Sequence, residues 1–336
     1  MEQSLVSLIT ACYDSVKWIG RLIDSVCSQT YRPLELIVVD DGSRDGLAEV
    51  FQTYIGQLEN SRVSWKYIRQ ENSGISAAVN AGLSVYTGEF LCFIDPDDFL
   101  TPDSLEKRVD FLRKHPQYPM VTCDAFRVTD EVPPKILGLV SMNDKRRFEE
   151  RQFELLMKEQ SIFCPLCHLI RADAFRETHP SGRIYPSRYG QNWQILLPVL
   201  YRYPRGFLDE PLGYYLVRQG SLSRRHGTEE ENIEKQKAHQ DIQMHVLGEM
   251  EMPEDERKKY MRECRIHFAR KLLAVGRRYG NRDLLREQRA ILKELRVWSG
   301  KDLCQYAAGV SRLIGVLYRA GTGPVKYLIN KKRSRL

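Results

Sequence analysis

The first hundred residues alternate between two hydrophobic periods. Leu5–Thr10 (LVSLIT) is a short apolar run. Leu34–Val39 (LELIVV) is apolar at almost every position, as a strand buried on both faces requires. Val63–Ile68 and Glu89–Ile94 repeat the strand pattern. Between these runs the period lengthens. After Asp14, residues Trp18, Ile19, Leu22, Ile23 and Val26 recur at helical spacing, and Asp45–Leu58 and Ser76–Val85 read as two further helices. Strands alternating with helices of about 10–15 residues predict a parallel sheet flanked by helices. Such a sheet binds ligands at the carboxyl ends of its strands.

Beyond position 101 the pattern loosens. A helix near Ser104–Lys114 precedes a strand at Met120–Arg127 and a polar loop, Thr129–Asp144, that contains Pro133-Pro134. Short elements then run to GYYLVRQGSLSRR. From about Glu229 the chain reads as helical and highly charged, with a break at Gly321–Pro324. The expected organisation is an α/β domain over 1–226, in halves 1–105 and 106–226, and a helical region with a basic tail over 227–336.

Composition narrows the class. The 336 residues are 42% hydrophobic and 28% charged, which excludes a disordered chain, a collagen-like repeat and a disulfide miniprotein. No stretch of about 20 apolar residues predicts a membrane-spanning helix, and the N-terminus does not read as a signal peptide. The expectation is a cytoplasmic chain whose eight cysteines are free thiols. Cys164-Pro-Leu-Cys167-His168 has the spacing of a haem-attachment, half-zinc or redox motif. Export is not indicated, and Cys264 and Cys304 supply no second ligand pair at matching spacing, so the match reads as chance.

Charge is informative by position. The last acid is Asp302. After it come Arg312, Arg319, Lys326, Lys331, Lys332, Arg333 and Arg335, which together equal the whole net charge of +7. Leu303, Tyr306, Ala307, Val310, Leu313, Ile314 and Leu317 form an apolar stripe ahead of the basic cluster. Two readings follow: a peripheral contact with an anionic membrane surface, such as the inner face of the cytoplasmic membrane, or a stripe packed on the protein with a solvated tail. No nucleic-acid-binding module is recognisable.

Two acidic clusters fall at strand ends: Asp40-Asp41-Gly42-Ser43 and Asp95-Pro96-Asp97-Asp98. An Asp-x-Asp turn offers hard oxygen ligands to Mn²⁺ or Mg²⁺, ions whose shell is usually completed by ligand phosphates. Neither a Walker loop nor a G-x-G-x-x-G follows a strand. Taken alone, DPDD reads first as a solvated turn.

The order of motifs changes that weighting. VSLITACYDS, SQTYRPLELIVVDDGSRD, ENSGISAAVNAGL and GEFLCFIDPDDFLTPDSL, at this spacing, resemble the inverting, nucleotide-sugar-dependent family 2 glycosyltransferases. The resemblance runs over about residues 5–225. It implies the GT-A fold, a Rossmann-like, mostly parallel sheet flanked by helices, and a UDP-type donor. It further implies roles. Thr10, Ala11 and Tyr13 would wall the nucleotide pocket. Asp41, with Asp40 beside it, would accept from the base. Asn72, Gly74 and Asn80 would lie under the diphosphate. Asp95 would bind on the ribose side and take part with Asp97 in holding the metal. Arg218-x-x-Ser221-x-Ser223 resembles the closing segment, where Arg218, Arg224 or His226 would meet the diphosphate and His226 the metal. The implied partners are a nucleotide-sugar donor and a glycan or lipid-linked acceptor in cell-surface polysaccharide synthesis.

Two departures stand out. Val79 occupies a position where the family often has Arg, which leaves Arg69 as a substitute cation. Gln191-Asn192, in the G-Q-N-W-Q variant, stands where the family places a Glu-Asp pair, one of which is the general base. An amide cannot take that proton. His168, Asp173, Glu177, His179 and Asp209 are the alternative bases. Trp193 next to the pair reads either as core or as a stacking face for a sugar. A non-catalytic member that binds nucleotide sugar or a partner transferase is the competing reading. A sugar-nucleotide pyrophosphorylase is disfavoured, because LITACYDSVKW lacks the glycine-rich basic loop that class needs.

Overall fold

A computed structural model describes residues 4–218 and 227–311. The chain divides into two compact units, residues 1–225 and 226–336. In the first unit the elements are β1 (Val6–Cys12), α1 (Val16–Cys27), β2 (Leu34–Asp40), α2 (Leu47–Asn60), β3 (Val63–Arg69), α3 (Ile75–Leu83), β4 (Phe90–Phe93), β5 (Phe99–Leu100) and α4 (Ser104–Lys114). There follow β6 (Met120–Val128), β7 (Ile136–Leu139), α5 (Phe153–Met157), β8 (His168–Arg171), α6 (Ala172–Thr178), α7 (Gln191–Arg202) and β9 (Gly206–Leu216).

The strands form one nine-stranded sheet in the order β3-β2-β1-β4-β8-β6-β9-β5, with β7 on β6. The β3-β2-β1-β4 half is wholly parallel. Every residue of β2 is buried, as its unbroken apolar run requires. Leu8 of β1 joins Ile19, Leu22 and Ile23 of α1 and Phe51 of α2 in one core. On the opposite face α3 comes so close to β1 that a Cβ at Gly82 would sit 2.5 Å from Cγ2 of Ile9.

The other half is mixed rather than parallel. β8 enters antiparallel between β4 and β6. It has four residues, too few to carry a legible hydrophobic period. β5 pairs antiparallel with β9, Phe99 opposite Tyr214. That pairing closes the turn after β4 and places the end of β9 beside it.

The second unit contains α8 (Glu229–Glu249), α9 (Glu254–Tyr279), α10 (Arg282–Glu294) and α11 (Gly300–Val310). Local signals set its helix ends: a Thr228–Glu231 capping box starts α8, and left-handed Gly280 ends α9. Ala269, Leu273, Leu285 and Leu292 form a small core, and Tyr306 and Val310 of α11 pack against it. Two residues of the apolar stripe, Tyr306 and Val310, therefore pack within their own unit. Leu313, Ile314, Leu317 and the basic cluster lie outside the described residues.

Candidate active site

The loops that follow β1, β2, β3 and β4 meet at one edge of the sheet, and hydrogen bonds tie the first three together. Asp41 is buried, its N–H donating to the Cys12 carbonyl at 2.8 Å. Its carboxylate accepts from Gln70 Nε2 (2.7 Å), the Ser73 N–H (2.9 Å) and the Gly74 N–H (2.8 Å). Those bonds use three of roughly four acceptor positions. Asp40 is wholly buried and accepts from the Ser43 N–H, the Tyr67 hydroxyl and Arg69 Nη1. Arg69 also donates to the Ser43 carbonyl at 2.8 Å. Its guanidinium is thus tied to the DDGS turn through two of its donors, while the side chain stays half exposed. Gly42 has φ +78°, and a Cβ there would lie 2.9 Å from the Asn72 nitrogen, so the turn and the 70–74 loop pack backbone to backbone.

The other expected nucleotide-side residues divide. Tyr13 leaves 49% of its surface exposed at the end of β1, an open aromatic face. Ala11 lines a small pocket that also takes in Ile75, Asp95, Gln191 and Asn192. Thr10 is wholly buried, its hydroxyl against the Cys12 sulfur, so its side chain belongs to the core and not to a pocket wall. Asn72 is exposed. Gly74 begins α3, and the Arg188 side chain lies over it, with Cγ 3.1 Å from where a Cβ would be. Asn80 exchanges two hydrogen bonds of 2.8 Å with the Ile184 backbone, which occupies both ends of its amide.

After β4 the Asp95–Asp98 turn gathers three carboxyl groups, Asp95, Asp97 and Asp98, with one oxygen of each within 4.8 Å of the others. Asp98 is fully buried and accepts from the Leu216 N–H of β9 at 2.9 Å. Burial, and then the charges of Asp97 and Asp95, push its carboxyl well above the usual range. Burial and the neighbouring Asp97 push Asp95 up to about 7, against the pull of Arg218. Arg218 Nε donates to Asp97 at 2.6 Å. Crowded hard oxygen donors that repel one another fit a divalent cation of the Mg²⁺ or Mn²⁺ type. His226 and Arg224 lie outside the described residues.

On the acceptor side Gln191 and Asn192 open α7 behind left-handed Gly190. Asn192 Nδ2 donates to the Phe163 carbonyl at 2.9 Å. Trp193 is 1% exposed, with its ring centroid 4.8 Å from that of Phe163, so it is core and offers no face to a sugar. The alternative bases do not gather here. His168 is buried against Thr122, and burial with the charges of Arg205 and Arg108 pushes it down to about 3. His179 is buried between the Phe175 and Gln194 carbonyls, and burial lowers its pKa. β8 runs antiparallel to β4, with the Ala172 N–H on the Glu89 carbonyl, so Asp173 and Glu177 follow β8 at the opposite edge of the sheet from Asp95. Glu177 pairs with Arg202 and Asp209 with Arg147. Cys164 and Cys167 are buried, and burial pushes Cys164 up to about 12 and Cys167 well above its usual value, so both remain thiols.

Residues 7–178 match Glycosyl transferase family 2, just over half of the chain and all four strand-end loops. The chain belongs to that family. Gln191 and Asn192 lie past the matched stretch. Among curated relatives, EpsH of Bacillus subtilis is 37% identical over 107 residues, 32% of this chain and 30% of EpsH. Glycosyltransferase GlyA of Streptococcus pneumoniae is 34% identical over 101 residues, 30% of this chain and 14% of GlyA. The chain spans less than half the length of these curated relatives. Among solved structures, S. aureus TarS 1–349 in complex with UDP-GlcNAc superposes with a TM-score of 0.60 at 18% identity, over 94% of this chain and 92% of that chain. The mannosyltransferase PcManGT from Pyrobaculum calidifontis, in complex with GDP-Man and Mn²⁺, gives a TM-score of 0.56 at 16% identity, over 98% and 84%. At those identities the likeness concerns the fold: this family 2 chain has the GT-A architecture, with a helical C-terminal region.

Three residues beside the candidate site carry contacts that their sequence positions do not announce. Asp98 was legible in DPDD, but only its burial against Leu216 separates its role from that of Asp97. Arg188 stands two residues before Gly190, and nothing in the linear order brings it over Gly74. Trp18 reads as one more apolar position of α1, yet its ring lies under Arg218.

Proposed function

We propose that this chain is a glycosyltransferase that moves a sugar from a nucleoside diphosphate donor, UDP-linked, to an acceptor hydroxyl with inversion, in the building of cell-surface polysaccharide. The observation that carries this reading is the meeting of two carboxylate sites at one sheet edge. Asp41, on the loop after β2, retains acceptor capacity, and its N–H is bonded to the carbonyl of Cys12, the residue before exposed Tyr13. Asp95 and Asp97, after β4, share a pocket edge with Ala11, Gln191 and Asn192 through Asp95.

In this reading Asp41 accepts from an N–H of the nucleobase, whose ring stacks on Tyr13. Asp95 and Asp97, backed by Asp98, hold Mn²⁺ or Mg²⁺. When bound, that ion would neutralise charge on the departing diphosphate. Arg218 and Arg188 supply further cationic groups near the phosphates. Gln191 and Asn192 donate and accept hydrogen bonds at the acceptor end without removing a proton. Among the described residues, Asp95 is the carboxyl group that lines the same pocket as the amide pair. The acceptor is a glycan or a lipid-linked glycan presented at the inner face of the cytoplasmic membrane. No described helix is long and apolar enough to cross a membrane.

Titration calorimetry with UDP, UDP-GlcNAc and GDP-Man, with and without Mn²⁺, tests the donor. The expected result is metal-dependent binding of UDP and a UDP-sugar. Preference for GDP-Man would overturn the UDP assignment. Purified protein that binds UDP-sugar but releases no UDP with any glycan acceptor would favour the non-catalytic reading, which the Gln191-Asn192 pair motivates.

A further inference from the structure

Trp18 is fixed on α1 by what surrounds it. Its Nε1–H lies 3.3 Å from both carboxylate oxygens of Asp130. Asp130 also accepts from Lys17 and, at 2.9 Å, from Arg21. The guanidinium carbon of Arg218 lies 4.2 Å from the centroid of that ring, well inside the range of a cation–π contact of about 6 Å. From this position Arg218 Nε reaches Asp97 at 2.6 Å. The Arg218 side chain is 31% exposed and that of Asp97 14%, so water screens the pair only in part. Asp98 is committed to the Leu216 N–H. Asp97, the carboxylate of the trio that bonds directly to Arg218, is therefore already neutralised from within the chain.

We infer that Arg218, seated on the ring of Trp18, is an internal competitor for the divalent cation at Asp97. The inference rests on the metal reading proposed above. An ion that takes Asp97 competes with a short charge-assisted hydrogen bond at Oδ2 and with the neighbouring guanidinium charge, and that competition lowers its affinity. A nucleotide changes the balance. Its phosphates complete the shell of the ion and accept the displaced guanidinium. Metal and nucleotide then bind cooperatively, each raising the affinity of the other by the same factor. Trp18 acts only through Arg218 and is a positioning residue.

Mn²⁺ titrated into nucleotide-free protein, with free ion read from its electron paramagnetic resonance signal, tests this directly. Arg218→Met is expected to bind Mn²⁺ roughly tenfold tighter than wild type, about 1.4 kcal/mol. Added UDP should then improve Mn²⁺ binding less than it does in wild type. Trp18→Leu should tighten Mn²⁺ binding by a smaller factor, and the double variant should match Arg218→Met, because the second change has nothing left to release. Arg218→Lys keeps the charge but cannot lie flat on the ring; it should fall between wild type and Arg218→Met, and it replaces Arg218→Met if circular dichroism shows that variant unfolded. Equal or weaker Mn²⁺ binding in the folded Arg218 variants, with binding still lost in Asp97→Asn, overturns the competitor and leaves the metal site standing. Mn²⁺ binding that is indifferent to Asp97→Asn, or absent from every form, overturns the metal reading and the competitor together.

Discussion

The backbone N–H of Gly74 donates to Oδ2 of Asp41 at 2.8 Å, while the N–H of Ser73, one residue earlier, donates to Oδ1. One carboxylate at the end of β2 thereby organises the loop that leads into α3. Asp41→Ala removes the acceptor of three hydrogen bonds. The expected result is a loss of about 1–3 kcal/mol of stability in urea unfolding, together with weaker binding of free uridine as well as UDP in calorimetry. A variant that loses affinity only for the sugar portion would contradict base recognition by Asp41.

Asn192→Asp puts a carboxyl group where the resemblance leads one to expect it, but the local geometry opposes it. Asn192 Nδ2 donates to the Phe163 carbonyl at 2.9 Å, and an ionised aspartate would set oxygen against oxygen there. The expected outcome is a loss of about 1–2 kcal/mol of stability and no gain in UDP release from a UDP-sugar. A faster turnover would mean that the site rearranges to accept a base.

Trp193→Ala separates core from ligand contact. With the ring 1% exposed against Phe163, truncation should cost about 3–5 kcal/mol in denaturant unfolding. Trp193→Phe should retain most of the stability and bind UDP-sugar as wild type does. Lost sugar affinity in a fully stable Trp193→Phe would contradict the core assignment.

Glu35 provides a pH test away from the cleft. Its side chain is 4% exposed, and it accepts from Ser7, Lys66 and Thr87. Burial raises its pKa, but the bonds from Lys66, Ser7 and Thr87 outweigh burial and hold it below the ordinary glutamate value of 4.5. A carboxylate lowered on folding adds stability above its unfolded pKa, and that contribution fades as pH falls through the folded one. Urea unfolding of wild type and Glu35→Gln from pH 7 down to pH 3 should show the wild-type advantage constant above about pH 5.5 and shrinking below about pH 4.5. An advantage that grows on acidification would give the shift the opposite sign.

Strand and helix periods before residue 115, and the acidic turns at the strand ends, were legible because each depends on neighbours in sequence. Leu34–Val39 can only be a strand buried on both faces, and Asp40-Asp41 and Asp95–Asp98 must then lie at strand termini on one sheet edge. The family motifs reside in those same short stretches, so membership in family 2 was also readable there.

What depends on distant packing was not readable. Four residues, His168–Arg171, enter the middle of the sheet because β4 and β6 leave them a slot, and that insertion carries Asp173 and Glu177 to the edge away from the cleft. Trp193 and Thr10 have the composition of binding residues, and only their burial makes them core. Arg218 lies 121 residues from Asp97 in the chain and 200 from Trp18. Residue types and spacing in the sequence determined that a cluster of carboxylates would sit at the strand ends. The pairing of β5 with β9 decided which cation would lie against it, because hydrogen bonding between distant strands, and no local rule, brings the end of β9 to the turn after β4.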